Sequence, residues 1–242
     1  MIASTLILVS VTLSPAERYI ESNQSYEAGD FLHAIEGYEE VVRLSPNADV
    51  YYNLGNSYFQ VRKLGEAVAN YRRARHLRPR DGDVQHNLAF LRNYRVDRIG
   101  SVSSPITQLL SNGFHYFSLY EASILTTFLF LLGSFLIFLF ILYRKRSLAY
   151  GFIVGGVVCT YFFITWQVWM NEVRSVPAVV VVTEAAALSG PGEDYKEVFI
   201  IHDGAEVKIK EERGGYILIQ IPGGIGGWVK GDALRMVFPN RG

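Results

Sequence analysis

The sequence predicts a multidomain membrane protein in three parts: an all-α helical-repeat domain, a transmembrane helical hairpin and a small all-β domain. Three observations carry this. Apolar residues concentrate between Leu119 and Met170; residues recur at a spacing of 33 before that stretch; and after Val176 the composition turns to Val, Ile, Gly and alternating charge. Over the 242 residues, 23 Lys+Arg balance 23 Asp+Glu, which argues against a uniformly basic nucleic-acid binder and against an acidic disordered tail. Hydrophobic residues reach 50% against 19% charged, a greasy balance for a soluble chain. The single cysteine, Cys159, lies inside the apolar stretch, so a disulfide framework and a Cys-based zinc site are excluded by count.

In chain order, Ile2 to Leu13 is a short apolar run ending at Ser14-Pro15-Ala16, whose small residues fit a signal-peptidase site after Ala16. The run is about half the length of a membrane span. Residues 1–16 are therefore expected to be an export signal. No Lys or Arg precedes the run, and the competing reading makes it the first turns of a helix.

Next comes the repeat, expected over 17–98. Ala34, Tyr38, Val41, Leu44 and Pro46 recur 33 positions later as Ala67, Tyr71, Ala74, Leu77 and Pro79, and Asn53-Leu54 recurs at 34 as Asn87-Leu88. Tyr51 or Tyr52, Leu54-Gly55, Tyr58, Ala67, Tyr71, Ala74 and Pro79 together resemble one tetratricopeptide repeat. An earlier, weaker one shows Tyr26, Gly29-Asp30-Phe31, Ala34-Ile35, Tyr38 and Pro46. Gly55 and Ala67 let paired helices approach, Tyr58 and Tyr71 fill the crossing, and Pro79 stops the second helix. A third starting helix, Asp83 to Tyr94, serves as the cap. Residues 99–118, which include Ser101-Val102-Ser103-Ser104-Pro105, are expected to be a linker.

The tetratricopeptide resemblance implies that the first helix of each pair lines a concave groove, which places Asn23, Tyr26, Asn53, Asn56, Phe59, Asn87 and Phe90 there. Asn side chains at such positions can hold the backbone amides of an extended peptide, and aromatics can hold its side chains. The Lys or Arg of a carboxylate clamp are absent from these positions. The competing reading makes each Asn a helix-packing residue. Charge divides within the domain: residues 17–49 hold eight acids and two bases, residues 50–98 four acids and ten bases. One reading is that the opposite charges solvate different faces; the other makes Arg72, Arg73, Arg75, Arg78 and Arg80 a docking face for an acidic partner. No alternation of aromatic and basic residues suggests nucleic acid.

Leu119–Tyr143 carries only Glu121 as a charge, Arg144-Lys145-Arg146 follow, and 147–170 carries none. Each segment of 24 or 25 residues makes a helix of about 36 Å, longer than the ~30 Å hydrocarbon core. The three cations mark residues 144–146 as a cytoplasmic loop, so both soluble parts are expected on the opposite face. Tyr116, Tyr120, Trp166 and Trp169 are expected at that outer interface as an aromatic belt.

Within 176–238, strand-like runs cover Val179 to Val182, Glu197 to Ile201, Glu206 to Lys210, Tyr216 to Ile221 and Gly227 to Val229. Gly190-Pro191-Gly192, Asp203-Gly204, Gly214-Gly215 and Gly223-Gly224 mark the turns. Five short strands suggest a small SH3-like barrel. Ala187-Leu188-Ser189-Gly190-Pro191, His202-Asp203-Gly204-Ala205 and Gly226-Gly227-Trp228-Val229 resemble the bacterial SH3 family. Leu188 replaces the family's Arg there, and Tyr216 its Trp.

Arrangements that chemistry requires are not found: there is no His-Glu-x-x-His, no Gly-x-Ser-x-Gly and no Gly-Lys-Ser/Thr. The histidines at 33, 76, 86, 115 and 202 show no metal spacing, so neither catalytic nor metal-ligating residues are assigned and no cofactor is expected. Gly223-Gly224-Ile225-Gly226-Gly227 lies between two strands and is expected to be a hairpin turn rather than a nucleotide loop. The order of parts, with Tyr52-Asn53-Leu54-Gly55-Asn56 and Asp83-x-x-x-Asn87-Leu88, resembles the BatE-type proteins of the Bat (aerotolerance) operons. That resemblance implies a non-enzymatic inner-membrane partner of von Willebrand A-domain proteins. The rival expectation is a cell-wall sensor whose barrel holds peptidoglycan peptides.

Overall fold

The computed structural model describes residues 13–97 and 105–238. Two antiparallel helix pairs and a capping helix open the chain: α1 (Pro15–Glu27), α2 (Phe31–Leu44), α3 (Ala48–Gln60), α4 (Leu64–Leu77) and α5 (Gly82–Tyr94). Each consecutive pair packs together. Local sequence sets most of the starts. Asp30, Asn47 and Asp81 accept bonds from the first-turn N–H groups of α2, α3 and α5, satisfying donors that have no partner inside the helix. Residues 1–12 of the expected export signal lie outside the described residues. Ser14 caps α1 in a reciprocal pair, its Oγ accepting Glu17 N–H at 3.3 Å while the Glu17 carboxylate accepts Ser14 N–H at 2.8 Å, so cutting after Ala16 would remove this cap.

The repeat residues form the core as the spacing requires. Ala34, Tyr38, Val41, Ala67, Tyr71 and Ala74 are all buried. A Cβ on Gly55 would lie 2.7 Å from the Tyr71 ring, so only glycine allows α3 and α4 this approach.

Residues 99–104 of the expected 99–118 linker, with all but Pro105 of its expected break, lie outside the described residues, and the part from Pro105 onward is not extended. A helix, α6 (Pro105–Phe114), occupies it. Then α7 (Leu119–Tyr143) and α8 (Arg146–Arg174) form a hairpin. Both are long and apolar enough to cross a membrane, with mean hydropathy of 2.6 and 1.8 in their most apolar windows. Phe128, Leu131, Phe138, Val154 and Val157 remain more than half exposed on them. The second helix overruns the expected 147–170 at both ends, and Arg146 belongs to it, leaving Arg144-Lys145 as the connection. Tyr116 and Tyr120 are exposed. Trp169 is not: it is buried, and its Nε1 donates to the Phe117 carbonyl at 2.7 Å. The indole sits edge-on to the His76 and His115 rings, at 5.0 and 4.7 Å, so it joins the repeat domain to α8 rather than anchoring in lipid headgroups.

The C-terminal part is one antiparallel sheet of seven strands, where five were expected: β1 (Pro177–Val180), β2 (Glu184–Leu188), β3 (Glu197–His202), β4 (Glu206–Arg213), β5 (Tyr216–Gln220), β6 (Gly226–Lys230) and β7 (Leu234–Met236). Their order is β3-β2-β6-β5-β4-β1-β7. Residues 221–225 form the β5–β6 hairpin connection, with Gly223 and Gly224 at φ 103° and 93°, while Gly226 and Gly227 of the glycine run open β6 and pair with Gln220 and Ile219. Val179 and Val237 of this part pack into the repeat core, while Ile201, Ile219 and Val229 centre a second core within the sheet.

Candidate functional site

The seven expected groove residues come together on the first helices of the repeat domain. Asn23, Tyr26 and Asn53 line a recess of about 330 Å³. Tyr26 also borders a second, of about 220 Å³, with Asn56, Phe59, Asn87 and Phe90. Phe59 and Phe90 meet edge to face at 5.9 Å, giving the second recess an aromatic wall.

The asparagines are oriented by the hydroxyls of Tyr19, Tyr38 and Tyr71. The Tyr38 hydroxyl donates to Asn23 Oδ1 at 2.6 Å, and Asn53 Nδ2 donates to the same oxygen at 3.2 Å and to the Tyr19 hydroxyl at 3.0 Å. One repeat later the pattern returns: the Tyr71 hydroxyl donates to Asn56 Oδ1 at 2.6 Å, and Asn87 Nδ2 donates to that oxygen at 3.2 Å. Burial pushes the Tyr38 and Tyr71 phenols up from their ordinary range, so both keep the proton they donate. Each carboxamide thus has one end fixed. Asn23 Nδ2, Asn56 Nδ2, Asn53 Oδ1 and Asn87 Oδ1 take no partner among the described residues, so the groove offers donors and acceptors together. An extended peptide backbone offers the complementary C=O and N–H groups. The recurrence of Tyr19 as Tyr52, at the same 33-residue spacing, was the signal available for this arrangement.

Much of the basic second-helix face is taken up within the chain. Its acids are in the same chain. Arg72 pairs with Glu172 at 2.9 Å and with Glu206 at 3.3 Å, and Arg75 reaches Glu172 at 3.6 Å. The Arg73 guanidinium donates to the carbonyls of Met236 and Val237, at 2.6 and 2.9 Å. Arg78 pairs with Asp49 at 2.8 Å, and Arg80 with Glu121. Expecting a separate acidic partner on Arg72 and Arg73 fails because α8 and the sheet cover that side of α4.

A cap across the domains completes this contact. Lys63, in the N-cap position of α4, makes no capping bond. Asp203, in the β3–β4 turn, accepts instead from the N–H groups of Leu64 and Gly65, at 3.0 and 2.8 Å. Burial pushes the Asp203 carboxyl up, and these two donors oppose that shift. Arg235 adds a forked pair on Glu66, its Nη2 donating to Oε1 at 2.6 Å and its Nε to Oε2 at 3.1 Å. His202 binds Asp97 through its backbone N–H at 2.7 Å and its Nδ1 at 2.9 Å. The sequence signal was the uncapped start of α4.

Comparison with known proteins gives one family. The tetratricopeptide repeat matches residues 48–81, which are α3, α4 and the turn that follows. No curated protein shows a significant match. The matched repeat is a protein-interaction module, and it contains Asn53, Asn56 and Phe59.

Proposed function

We propose that this chain is a non-enzymatic scaffold of the bacterial inner membrane that binds a partner protein in the α1–α3–α5 groove on the periplasmic side. The observation that carries the reading is the doubled tyrosine-held asparagine pair, set beside an aromatic wall and within a matched tetratricopeptide repeat. The suspected partner is a von Willebrand A-domain protein of the kind the BatE resemblance implies. We also read the C-terminal sheet as a bacterial SH3-like barrel, supported by its seven antiparallel strands and its Gly-Trp-Val at 227–229.

The test uses substitutions that separate binding from folding. Asn23→Asp with Asn56→Asp keeps an acceptor oxygen for each tyrosine but removes the Nδ2 donors. Two lost hydrogen bonds of about 1 kcal/mol each should lower partner affinity about tenfold or more, with thermal stability nearly unchanged. Alanine at the same two positions should lower stability as well, because the Tyr38 and Tyr71 hydroxyls lose their acceptors, at about 1–3 kcal/mol each. Recovery of A-domain proteins on the detergent-solubilised chain, quantified by mass spectrometry, reads the first effect. Undiminished recovery with the Asp pair removes the groove from the site.

Orientation is tested separately. A reporter active only in the periplasm should work when fused after Phe238 and fail when fused after Arg146; the reverse pattern overturns the topology. The wall-binding reading draws on the exposed apolar side chains Tyr195, Val198 and Ile200 at and beside edge strand β3. Sedimentation of the chain with purified sacculi, abolished by Val198→Asp, would favour it over scaffolding.

A further inference from the structure

A third recess, of about 430 Å³, lies where the repeat domain meets the start of the first span. Arg75, Arg80 and Arg92 line it from the α4 end, the following turn and α5, and His115 and Tyr116 close it from the turn before α7. None of its lining residues is acidic. Two carboxylates outside it face these cations. Glu172 on α8 divides itself among Arg72, Arg75 and His115, and Glu121 on α7 takes Arg80. The Arg75 Nε is buried without a hydrogen-bond partner among the described residues. Burial, reinforced by the neighbouring Arg72 charge, pushes the Arg75 guanidinium down to about 10 against the opposing pull of Glu172 and Glu206. Arg92 is exposed and forms no ion pair among the described residues.

The recess has a membrane address if α7 and α8 are spans, and the inference rests on that reading. His115 and Tyr116 stand just before Ser118, which caps α7. Alongside, α6 leaves Ile106, Leu109 and Leu110 exposed at 70%, 73% and 54%, spaced three and four residues apart on one face. A short helix with an uncovered apolar face beside the start of a span lies in the plane of the bilayer surface. Phe114 of α6 stacks on Tyr161 of α8 at 5.8 Å, and the Tyr161 hydroxyl donates to the Gly113 carbonyl at 2.8 Å, which holds the end of α6 against α8. The cationic recess then opens among lipid phosphates. Guanidinium groups suit a phosphodiester because their forked N–H donors match its paired oxygens.

We propose that Arg75, Arg80 and Arg92 form a binding site for the phosphodiester of an anionic phospholipid headgroup. The experiment uses the full chain in neutral detergent micelles, titrated with phosphatidylglycerol, phosphatidylcholine or inorganic phosphate, with native mass spectrometry reading retained lipid and a thermal melt reading stabilisation. Phosphatidylglycerol should be retained and raise the melting temperature saturably, while phosphatidylcholine does neither. Arg92→Glu, at an exposed position, should weaken the phosphatidylglycerol response about tenfold or more, and Arg43→Glu on α2 should leave it unchanged. Equal responses to the two lipids, or an undiminished response in Arg92→Glu, would overturn the site. Inorganic phosphate matching the lipid effect would overturn the lipid assignment. Carbonate extraction of native membranes separates the two levels: a released chain defeats the span reading and the site with it, whereas a retained chain indifferent to lipid charge defeats the site alone.

Discussion

Gly65→Leu is expected to undock the C-terminal sheet from the repeat domain while leaving both folded. A Cβ at this position would lie 2.0 Å from the Val180 carbonyl oxygen and 2.5 Å from Asp203 Oδ1. Neither side can yield locally. Val180 is fully buried, its strand pairs with β4 and β7 on its two sides, and α4 is held by the buried Ala67, Val68 and Ala69. Overpacking of this kind costs about 3 kcal/mol or more where backbone blocks relaxation. Opening the contact also forfeits the Asp203 cap and the Arg235–Glu66 pair. Amide hydrogen exchange reads the result directly: the Leu64 and Gly65 amides should lose protection as their acceptor leaves, and α2 should keep its own. Asp203→Ala grades the effect, since it removes the cap without a clash and should cost about 1–2 kcal/mol. Unchanged protection at Leu64 and Gly65 in Gly65→Leu would show that the sheet does not dock on α4.

That contact also shows where the sequence stopped being legible. Helices α1 to α5 were readable because a fixed repeat ties every position to a face, so Asn56 and Asn87 could be placed without knowing their neighbours. The two apolar helices were readable from composition alone. The strands β2 and β7 were not: Glu184-Ala185-Ala186-Ala187-Leu188 has little β-branched or aromatic character, and β7 has three residues. Helix α6 was hidden in a segment that begins with Ser and Pro punctuation. Most opaque was the role of charge. Arg72 looks like an exposed docking residue until Glu172 and Glu206 are brought to it, and no local pattern links α4 to either. The tyrosine hydroxyls that orient the groove fall between these cases. Their spacing was visible, but a hydroxyl's partner depends on helix crossing geometry, which the period does not specify.

Glu206→Gln should produce the second large effect, and it should carry a pH signature. Glu206 bonds Arg72 at 3.3 Å and Arg95 at 3.2 Å, and these guanidiniums keep only 16% and 12% of their side-chain exposure. Burial pushes the Glu206 carboxyl up, but Arg72 and Arg95 outweigh it and hold the group below its ordinary value. Neutralising it leaves the nearly buried Arg95 with no carboxylate and Arg72 with Glu172 alone. Removing one partner from a fully buried pair costs about 3–5 kcal/mol, and the 27% exposure of Glu206 reduces this to about 2–4 kcal/mol. Because the folded value is depressed, the ionised carboxylate stabilises the docked state above the ordinary glutamate value of about 4.3. That stability is lost as pH falls through the lower, folded value. Docking of the wild-type chain, followed by exchange at Leu64 and Gly65, should therefore weaken in acid. In Glu206→Gln it should already be weak at neutral pH and lose much of its acid dependence. Adding Arg95→Leu to Glu206→Gln removes one stranded cation and should recover part of the loss, by about 1 kcal/mol or more in a double-mutant cycle. A Glu206→Gln chain that docks as tightly as wild type, with the same acid profile, would place the stabilising carboxylate elsewhere, with Glu172 the remaining acid on Arg72.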